Sequence, residues 1–190
     1  MKRQIAVPSR SDCLSPTDPR LLGNPLDFIA EDHLRERQIC ALIDGIANAA
    51  GLDTSDVDNV LSFLGEELEM HLQDEDDGLF PLMRKKCEAE DQIDDVIERL
   101  QSDHTKITAV APKIGQSLQR LLDGQPALND GDRTMLSEFA NDTRRHLIVE
   151  NAIILPIARA RLNAADLDSL RSGMLKRRGL DRLMEDENAD

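Results

Sequence analysis

The chain lacks tryptophan and tyrosine altogether, and phenylalanine occurs only four times in 190 residues. Without Trp or Tyr, no aromatic relay is available to carry radicals or electrons through the fold. Cysteine is also scarce, because Cys13, Cys40 and Cys87 are scattered and form no C-x-x-C motif. This distribution argues against a disulfide framework and against a thiolate zinc site, and it favours a reducing, cytoplasmic environment.

Basic residues and long apolar runs are the other shortages. Lys and Arg number 23 against 37 Asp and Glu, which gives a formal net charge of −14. An acidic surface repels phosphate backbones, so we expect no nucleic-acid partner. No apolar stretch is long enough to cross a bilayer, and the first residues, MKRQIAVPSRSDCLSP, lack the apolar core of a signal peptide. We therefore expect no membrane partner either.

Several familiar motifs are absent as well. The sequence contains no H-E-x-x-H, no P-loop and no G-x-G-x-x-G, which argues against the corresponding protease, nucleotide and dinucleotide sites. Ferritin-like di-iron sites use Glu-x-x-His, with the glutamate three residues before the histidine. The residues at that offset from the four histidines are Ala30, Leu68, Gln101 and Thr143. The ferritin-like class is therefore disfavoured.

Apolar residues make up 40% of the chain, and from Asn24 onward they recur at helical spacing. The pattern predicts four long helices joined by short loops, which is typical of an all-α, up-down-up-down four-helix bundle. Asn24 is the expected N-cap and Pro25 the first residue of the first helix, which Gly51 ends. The next three helices are predicted to begin near Asp53–Ser55, after about Ala89, and after the loop at residues 123–131.

A short fifth helix is predicted from near Asn163 to Gly179. The sequence thus divides into an irregular N-terminal arm at residues 1–23, a bundle at 24–162, and a segment at 163–190. That last segment holds the fifth helix and a charged, frayed tail. The length suits one bundle domain.

Three prolines fall inside predicted helices. Pro112 lies in the third helix and should kink it or end it early, because a proline in a helix interior costs about 3 kcal/mol. Pro81 and Pro156 each follow a glutamate by six residues. Their matched offset predicts that the second and fourth helices end or bend at the same height.

The four histidines form the most informative pattern. Two of them begin the same H-x-x-x-E motif, whose ends share one face of a helix, and the other two each follow an aspartate. Each histidine falls in the apolar stripe of a different predicted helix. The sequence therefore contains one unit twice: an Asp-His pair on one helix followed by an H-x-x-x-E motif on the next. In order, the positions are His33, His71 with Glu75, His104, and His146 with Glu150.

A single histidine or a single H-x-x-x-E motif would be a weak indication of a metal site. Glu75 in particular lies in the acidic run 74–77, where a solvated carboxylate is the plainer interpretation. The joint pattern is different, because unpaired carboxylates in an apolar stripe carry a desolvation penalty of several kcal/mol. Two divalent cations would neutralise both carboxylates and give all four imidazoles a partner. Imidazole and carboxylate ligands suit iron, manganese or zinc.

Other acidic residues near the histidines have plainer interpretations. Glu36 lies one turn from His33 and is either an additional or supporting ligand or, as we favour, a partner in a surface ion pair with Arg35 or Arg37. Asp32 and Asp103 lie about 100° round the helix from the histidines that follow them. Both are therefore predicted to face solvent.

These motifs resemble those of the hemerythrin-like family, also called the HHE cation-binding domain. The resemblance covers roughly residues 24–160 and rests on Asp32-His33, His71-x-x-x-Glu75, Asp103-His104 and His146-x-x-x-Glu150. It implies a four-helix bundle around an oxo- or hydroxo-bridged pair of non-haem iron ions, with zinc or manganese as alternative metals. It also implies terminal ligands at His33, His71, His104 and His146, and bridges at Glu75 and Glu150. The implied pairing places His33 with His146 on one iron and His71 with His104 on the other.

The ligand set differs from that of oxygen-carrying hemerythrins, which use five histidines and an aspartate bridge. Here Leu100 and Thr108 occupy the positions four before and four after His104, so the fifth histidine is missing. The set is more similar to that of di-iron proteins linked to iron–sulfur cluster repair and nitric oxide handling, and to that of iron-sensing domains. The paired cysteines of the repair proteins are absent from the N-terminal region, which holds only Cys13.

Three classes of function stay open at this point. The favoured hypothesis is a binding protein whose di-iron centre binds or senses dioxygen, nitric oxide or iron. The alternative is a di-iron enzyme or iron donor in nitrosative or oxidative stress defence and iron–sulfur cluster repair. The third is a structural bundle whose acidic surface serves a protein partner and whose metal is purely structural. The expected partner is a small diatomic molecule, and the sequence leaves a homodimer open.

Overall fold

The computed structural model describes residues 14–48, 53–124 and 127–181. Within these ranges the protein is helical and contains no strand. The α-helices are α1 (Pro25–Asn48), α2 (Thr54–Ser62), α3 (Leu68–Asp74), α4 (Phe80–Lys86), α5 (Ile93–Leu122), α6 (Asp130–Val149), α7 (Leu155–Arg161) and α8 (Ala164–Arg177). Short 3₁₀ turns at Pro19–Gly23 and Ala89–Asp91 precede α1 and α5.

Turns of π-helix connect the shorter helices into two continuous rods. Phe63–Glu67 joins α2 to α3, and Glu75–Leu79 joins α3 to α4, which makes the α2–α4 rod. Glu150–Ile154 joins α6 to α7, which makes the α6–α7 rod. With α1 and α5, these rods form a four-helix bundle, so the predicted all-α fold is confirmed.

Two separate apolar clusters divide the core, and each of the four bundle elements contributes to both. Along α1, Leu26 and Ile29 belong to one cluster, and Ile39 and Ile43 belong to the other. Helix α5 passes through the clusters in the same order, whereas the α2–α4 and α6–α7 rods pass through them in reverse. The chain direction therefore alternates from element to element, as an up-down-up-down bundle requires.

Local sequence accounts for where the helices begin. Asn24 caps α1 and Pro25 is its first residue, as predicted. Asp53 caps α2 through its side chain, and Asn163 caps α8 in a reciprocal capping box. Beyond α8 the chain turns at Gly179, whose φ of 66° lies in the left-handed region that glycine tolerates best.

The prolines act differently from the prediction. Pro112 does not end α5, which continues unbroken to Leu122. The expectation of an early end is therefore wrong. The physical reason is that Ala111 and Ile114, on either side of the proline, are buried in an apolar cluster, and burial of such side chains offsets the cost of about 3 kcal/mol.

Pro81 and Pro156 also lie inside continuous rods, each as the second residue after a π-turn. The Glu75 and Glu150 carbonyls accept hydrogen bonds from amides five residues later. This wider turn makes room for a proline ring that would otherwise clash with the carbonyl four residues before it. The α2–α4 and α6–α7 rods therefore share the same irregularity at the same offset from the glutamate, but it is a π-turn and not the end of a helix.

Helix α8 is fastened to the α2–α4 rod beside Glu75. Gly78 permits the close approach, since a Cβ atom there would lie 2.7 Å from Leu170 Cδ1. The fully buried Asp74 accepts from Arg177 Nε at 2.6 Å, and its other oxygen forms an ion pair with Arg178 Nη1 at 2.7 Å. Helix α8, the predicted fifth helix, is thus part of the packed core. It lies against the π-turn that begins at Glu75, one of the candidate metal ligands.

Some predictions fall on residues outside the described ranges. These are Gly51 as a helix stop, the first 13 residues of the arm, and the tail from residue 182, and they stay predictions. In the described part of the arm, Leu22 lies in a 3₁₀ turn and packs into an apolar cluster. No described helix is both long enough and apolar enough to span a membrane.

Candidate metal centre

A layer of buried polar residues lies between the two apolar clusters. Each bundle element contributes one histidine to it, from α1, α3, α5 and α6, and the two rods each add a glutamate at the first residue of a π-turn. The histidines are 1–3% exposed and both glutamates 0%. The structure thus brings together all six residues singled out from the sequence: His33, His71, Glu75, His104, His146 and Glu150.

The ligand atoms of these residues form two groups that share both glutamates. The first group is His33, His71, Glu75 and Glu150, and the second is Glu75, His104, His146 and Glu150. Within each group the candidate ligand atoms lie within 4.8 Å of one another. Two histidines at each end and two shared carboxylates between them fit a pair of metal ions bridged by carboxylates.

This grouping corrects the pairing implied by the resemblance, which placed His33 with His146 and His71 with His104. The ring centroids of His33 and His71 are 5.3 Å apart. The Nε2 atoms of His104 and His146 are 3.0 Å apart. In a square bundle each helix has two neighbours, so the order of the helices along the chain does not decide which two histidines share a group. The rotation and height of the helices decide it.

Both glutamates place carboxylate oxygens near both groups, and Glu75 Oε2 also lies 3.6 Å from His71 Nε2. Glu75 Oε1 lies 3.5 Å from His33 Nε2, and its Oε2 lies 3.4 Å from His104 Nε2. Glu150 Oε2 lies 3.4 Å from His33 Nε2, and its Oε1 lies 2.9 Å from His146 Nε2. A carboxylate that spans two groups in this way is placed to bridge two ions.

Many of these buried polar atoms lack a hydrogen-bond partner. Both oxygens of Glu75 and Glu150, and both ring nitrogens of His33 and His71, have none. Such atoms are rare in native interiors, because each one left unsatisfied costs about 1–3 kcal/mol. Their concentration in one layer fits metal ions as the partners.

The electrostatics of the metal-free layer fit the same interpretation. Burial by itself lowers the pKa of an imidazole, but Glu75 and Glu150 raise the pKa of His33 above its usual value. Against the same penalty, the nearby carboxylates of Asp76, Glu150 and Glu75 raise the pKa of His104 to about 11. Burial raises the pKa of Glu75, yet the surrounding histidines hold it well below its usual range. Protons on the imidazoles neutralise the carboxylates, and metal ions would displace those protons.

Aspartates approach the outward ring nitrogens of three histidines. An aspartate at the nitrogen opposite the ligand atom orients the ring and raises its basicity. The Nδ1–Oδ distances are 3.5 Å for His71 with Asp32, 3.0 Å for His104 with Asp76, and 4.0 Å for His146 with Asp103. The predicted solvent-facing position of Asp32, whose side chain is 15% exposed, is therefore wrong. Asp103 is 29% exposed and also accepts from Lys106 Nζ at 2.8 Å, so it lies between His146 and solvent. Each of these two aspartates lies about 100° round the helix from the histidine that follows it. At that position it faces a histidine of the next bundle element instead.

Glu36 is a further member of the polar layer. It is 3% exposed, and its Oε1 lies 2.9 Å from His71 Nε2. The favoured surface ion pair with Arg35 or Arg37 is therefore wrong, because Glu36 is not at the surface, and Arg35 instead contacts Glu67 at 2.9 Å. The signal that finds Glu36 is its spacing, since it lies three residues after His33 on the same buried stripe.

The π-turn Glu75–Leu79 positions two residues that sequence analysis did not single out. Asp76 was hidden in an acidic run, and its contact with His104 depends on the position of α5. Phe80 begins α4 and stacks on the His104 ring, with centroids 5.7 Å apart and planes 18° apart. Together they fix the ring of His104 from its edge and from its face.

One family comparison covers the whole centre. Residues 24–158 match the family model of the hemerythrin HHE cation binding domain. No curated protein matches the chain significantly. The matched segment includes both ligand groups, the three supporting aspartates and Glu36.

Proposed function

Because the chain belongs to the hemerythrin HHE cation-binding family and is therefore a metal-binding protein, we propose that its polar layer holds two iron ions that bind dioxygen or nitric oxide. The observation that carries this proposal is the pair of ligand groups sharing two buried, unpartnered carboxylates. The proposed terminal ligands are His33, His71, His104 and His146, and the proposed bridges are Glu75 and Glu150.

The donor chemistry supports iron with room for a further ligand. Imidazole and carboxylate donors suit iron, manganese or zinc, and the family typically uses iron. Each group supplies two imidazoles and two carboxylates, whereas iron takes about six ligands. When bound, ferrous ions supply the redox-active centre for a small diatomic molecule, and the protein supplies position and environment.

The residues around the layer favour binding over turnover. Apolar clusters on both sides keep bulk water away from the centre. Burial, reinforced by nearby Glu36, raises the pKa of Cys40 to about 12, and Cys40 belongs to neither ligand group. The chain also has no Trp or Tyr to relay electrons to the centre.

Anaerobic ferrous protein is expected to develop a visible absorption band with dioxygen or nitric oxide, and to lose the band when the gas is removed. The absence of Trp and Tyr leaves the near-ultraviolet region clear for iron bands, so an optical titration is the measurement. Zinc-loaded protein is the control and should give no band. Gas consumption beyond stoichiometry would support the enzymatic alternative, and ferrous protein that ignores both gases would contradict the proposal.

A further inference from the structure

The two ligand groups are related by the internal repeat, but they differ at several buried positions, one of which lies directly beside the ligands on α1 and α5. His33 and His104 occupy equivalent places on α1 and α5. Three residues later, the first group has Glu36 and the second has Ile107. Both side chains are buried, at 3% and 5% exposed. The two metal positions therefore have different surroundings, one with an added carboxylate and one with an aliphatic side chain.

Among the described residues, the close polar partner of Glu36 is His71. Its Oε1 is buried, makes no well-directed hydrogen bond, and lies 2.9 Å from His71 Nε2. That same nitrogen lies 3.6 Å from Glu75 Oε2, so it faces the interior of the first group. Glu36 is not among the residues whose ligand atoms all lie within 4.8 Å of one another. Rotation about its side-chain torsions would bring a carboxylate oxygen inwards.

The second group lies beside an open groove between α5 and α6. The groove has a volume of about 530 Å³, and Ile107, Phe139 and Asp103 are among the residues that line it. Ile107 lies one turn along α5 from His104, and Asp103 approaches His146 Nδ1 at 4.0 Å. The groove is therefore lined both by Asp103, which approaches the second group, and by the aliphatic side chain of Ile107.

We propose that Glu36 is an additional ligand of the ion held by His33 and His71, and that the diatomic molecule binds the ion held by His104 and His146. The added carboxylate of Glu36 would give the first ion a further oxygen donor, whereas Ile107 has no donor atom to offer the second. The groove between α5 and α6 provides the access route. The second half of this inference rests on the proposed diatomic-binding function, whereas the role of Glu36 requires only that the centre hold metal.

Ferrous iron alone tests the role of Glu36. Titration of the metal-free full chain under anaerobic conditions is expected to show two unequal steps, because the additional negative ligand strengthens binding of one cation. Glu36→Gln keeps the shape and removes the charge, and it should weaken the tighter step by about tenfold or more. Glu31→Gln, a partly exposed position on α1, is the matched control and should leave both steps unchanged.

The reciprocal variant keeps the test decisive if Glu36→Gln fails to fold. Ile107→Glu places a carboxylate at the equivalent position of the second group and should tighten the weaker step. Wild-type affinities for both ions in Glu36→Gln, or in Ile107→Glu where Glu36→Gln does not fold, would overturn the assignment of Glu36.

Nitric oxide uptake tests the access route. The wild-type ferrous protein is expected to take up one nitric oxide per pair of irons, and Ile107→Glu should weaken that uptake by about tenfold or more while both irons stay bound. Unchanged uptake in Ile107→Glu would overturn the proposed position of the diatomic molecule. Unequal iron steps without any nitric oxide uptake by the wild type would overturn the diatomic-binding function and support Glu36 as a metal ligand.

Discussion

Replacing Glu75 with alanine is expected to remove metal from both positions and not from one. Glu75 belongs to both ligand groups, and its two oxygens lie 3.5 Å from His33 Nε2 and 3.4 Å from His104 Nε2. The variant therefore takes a ligand and a negative charge from each ion. Loss of a mere supporting partner lowers metal affinity about 10–100-fold, so loss of a shared ligand should exceed about 100-fold at both positions.

The measurement is metal content per chain after gel filtration into metal-free buffer. Glu69→Ala is the matched control, because Glu69 lies on the same helix α3 but is exposed. The control should retain wild-type metal content. If Glu75→Ala keeps both ions and a wild-type helical circular dichroism spectrum, Glu75 is not a bridging ligand.

Removal of metal by a chelator is expected to lower the melting temperature of the wild-type protein by about 10 °C. A ligand that binds only the folded state stabilises it by about 4 kcal/mol when present at roughly 1,000 times its Kd. For a chain of this length, each kcal/mol shifts the melting temperature by about 2–4 °C. The physical source is the polar layer, whose buried carboxylate and imidazole atoms otherwise lack partners.

Differential scanning calorimetry with and without chelator measures this shift, and two comparisons give it meaning. The melting temperature of Glu75→Ala should not respond to the chelator, because that variant holds no metal to remove. Zinc added back to the stripped wild type should restore thermal stability without restoring an optical response to nitric oxide. A wild-type melting temperature that stays the same after complete metal removal would exclude a contribution of metal to folding.

The sequence was sufficient to predict the bundle and the six central residues, because both follow from one-dimensional spacing. Helical periodicity defines an apolar stripe on each bundle element, and His33, His71, His104 and His146 fall within those stripes. A histidine in such a stripe has to be buried once the stripe packs. The repeat of H-x-x-x-E then places one glutamate beside a histidine on each rod.

The surroundings of the centre could not be predicted in this way, because they depend on contacts between elements. Asp32 and Asp103 lie off the stripe of their own helices, and only the adjacent element determines that they face histidines there. The grouping of the histidines depends on the relative rotation of four helices, which periodicity within one helix does not contain. Glu36 is the exception, since its spacing from His33 pointed inwards and an ion pair with an adjacent arginine was favoured instead.

The effect of the prolines on the backbone could not be predicted from the sequence either, because it also depends on contacts between elements. A proline penalty of about 3 kcal/mol is a local quantity, whereas continuity of α5 through Pro112 reflects burial of its neighbours in a cluster built by several helices. Pro81 and Pro156 are accommodated by π-turns that begin at Glu75 and Glu150. Turns of this kind are frequent at functional sites, and here they begin at the two shared carboxylates.

The most direct test of the account is the metal content of the wild-type protein purified without added metal, measured by plasma mass spectrometry. Two ligand groups sharing two glutamates predict two irons per chain. Protein that folds and melts normally with no bound metal, or with zinc in place of iron at both positions, would contradict the di-iron centre.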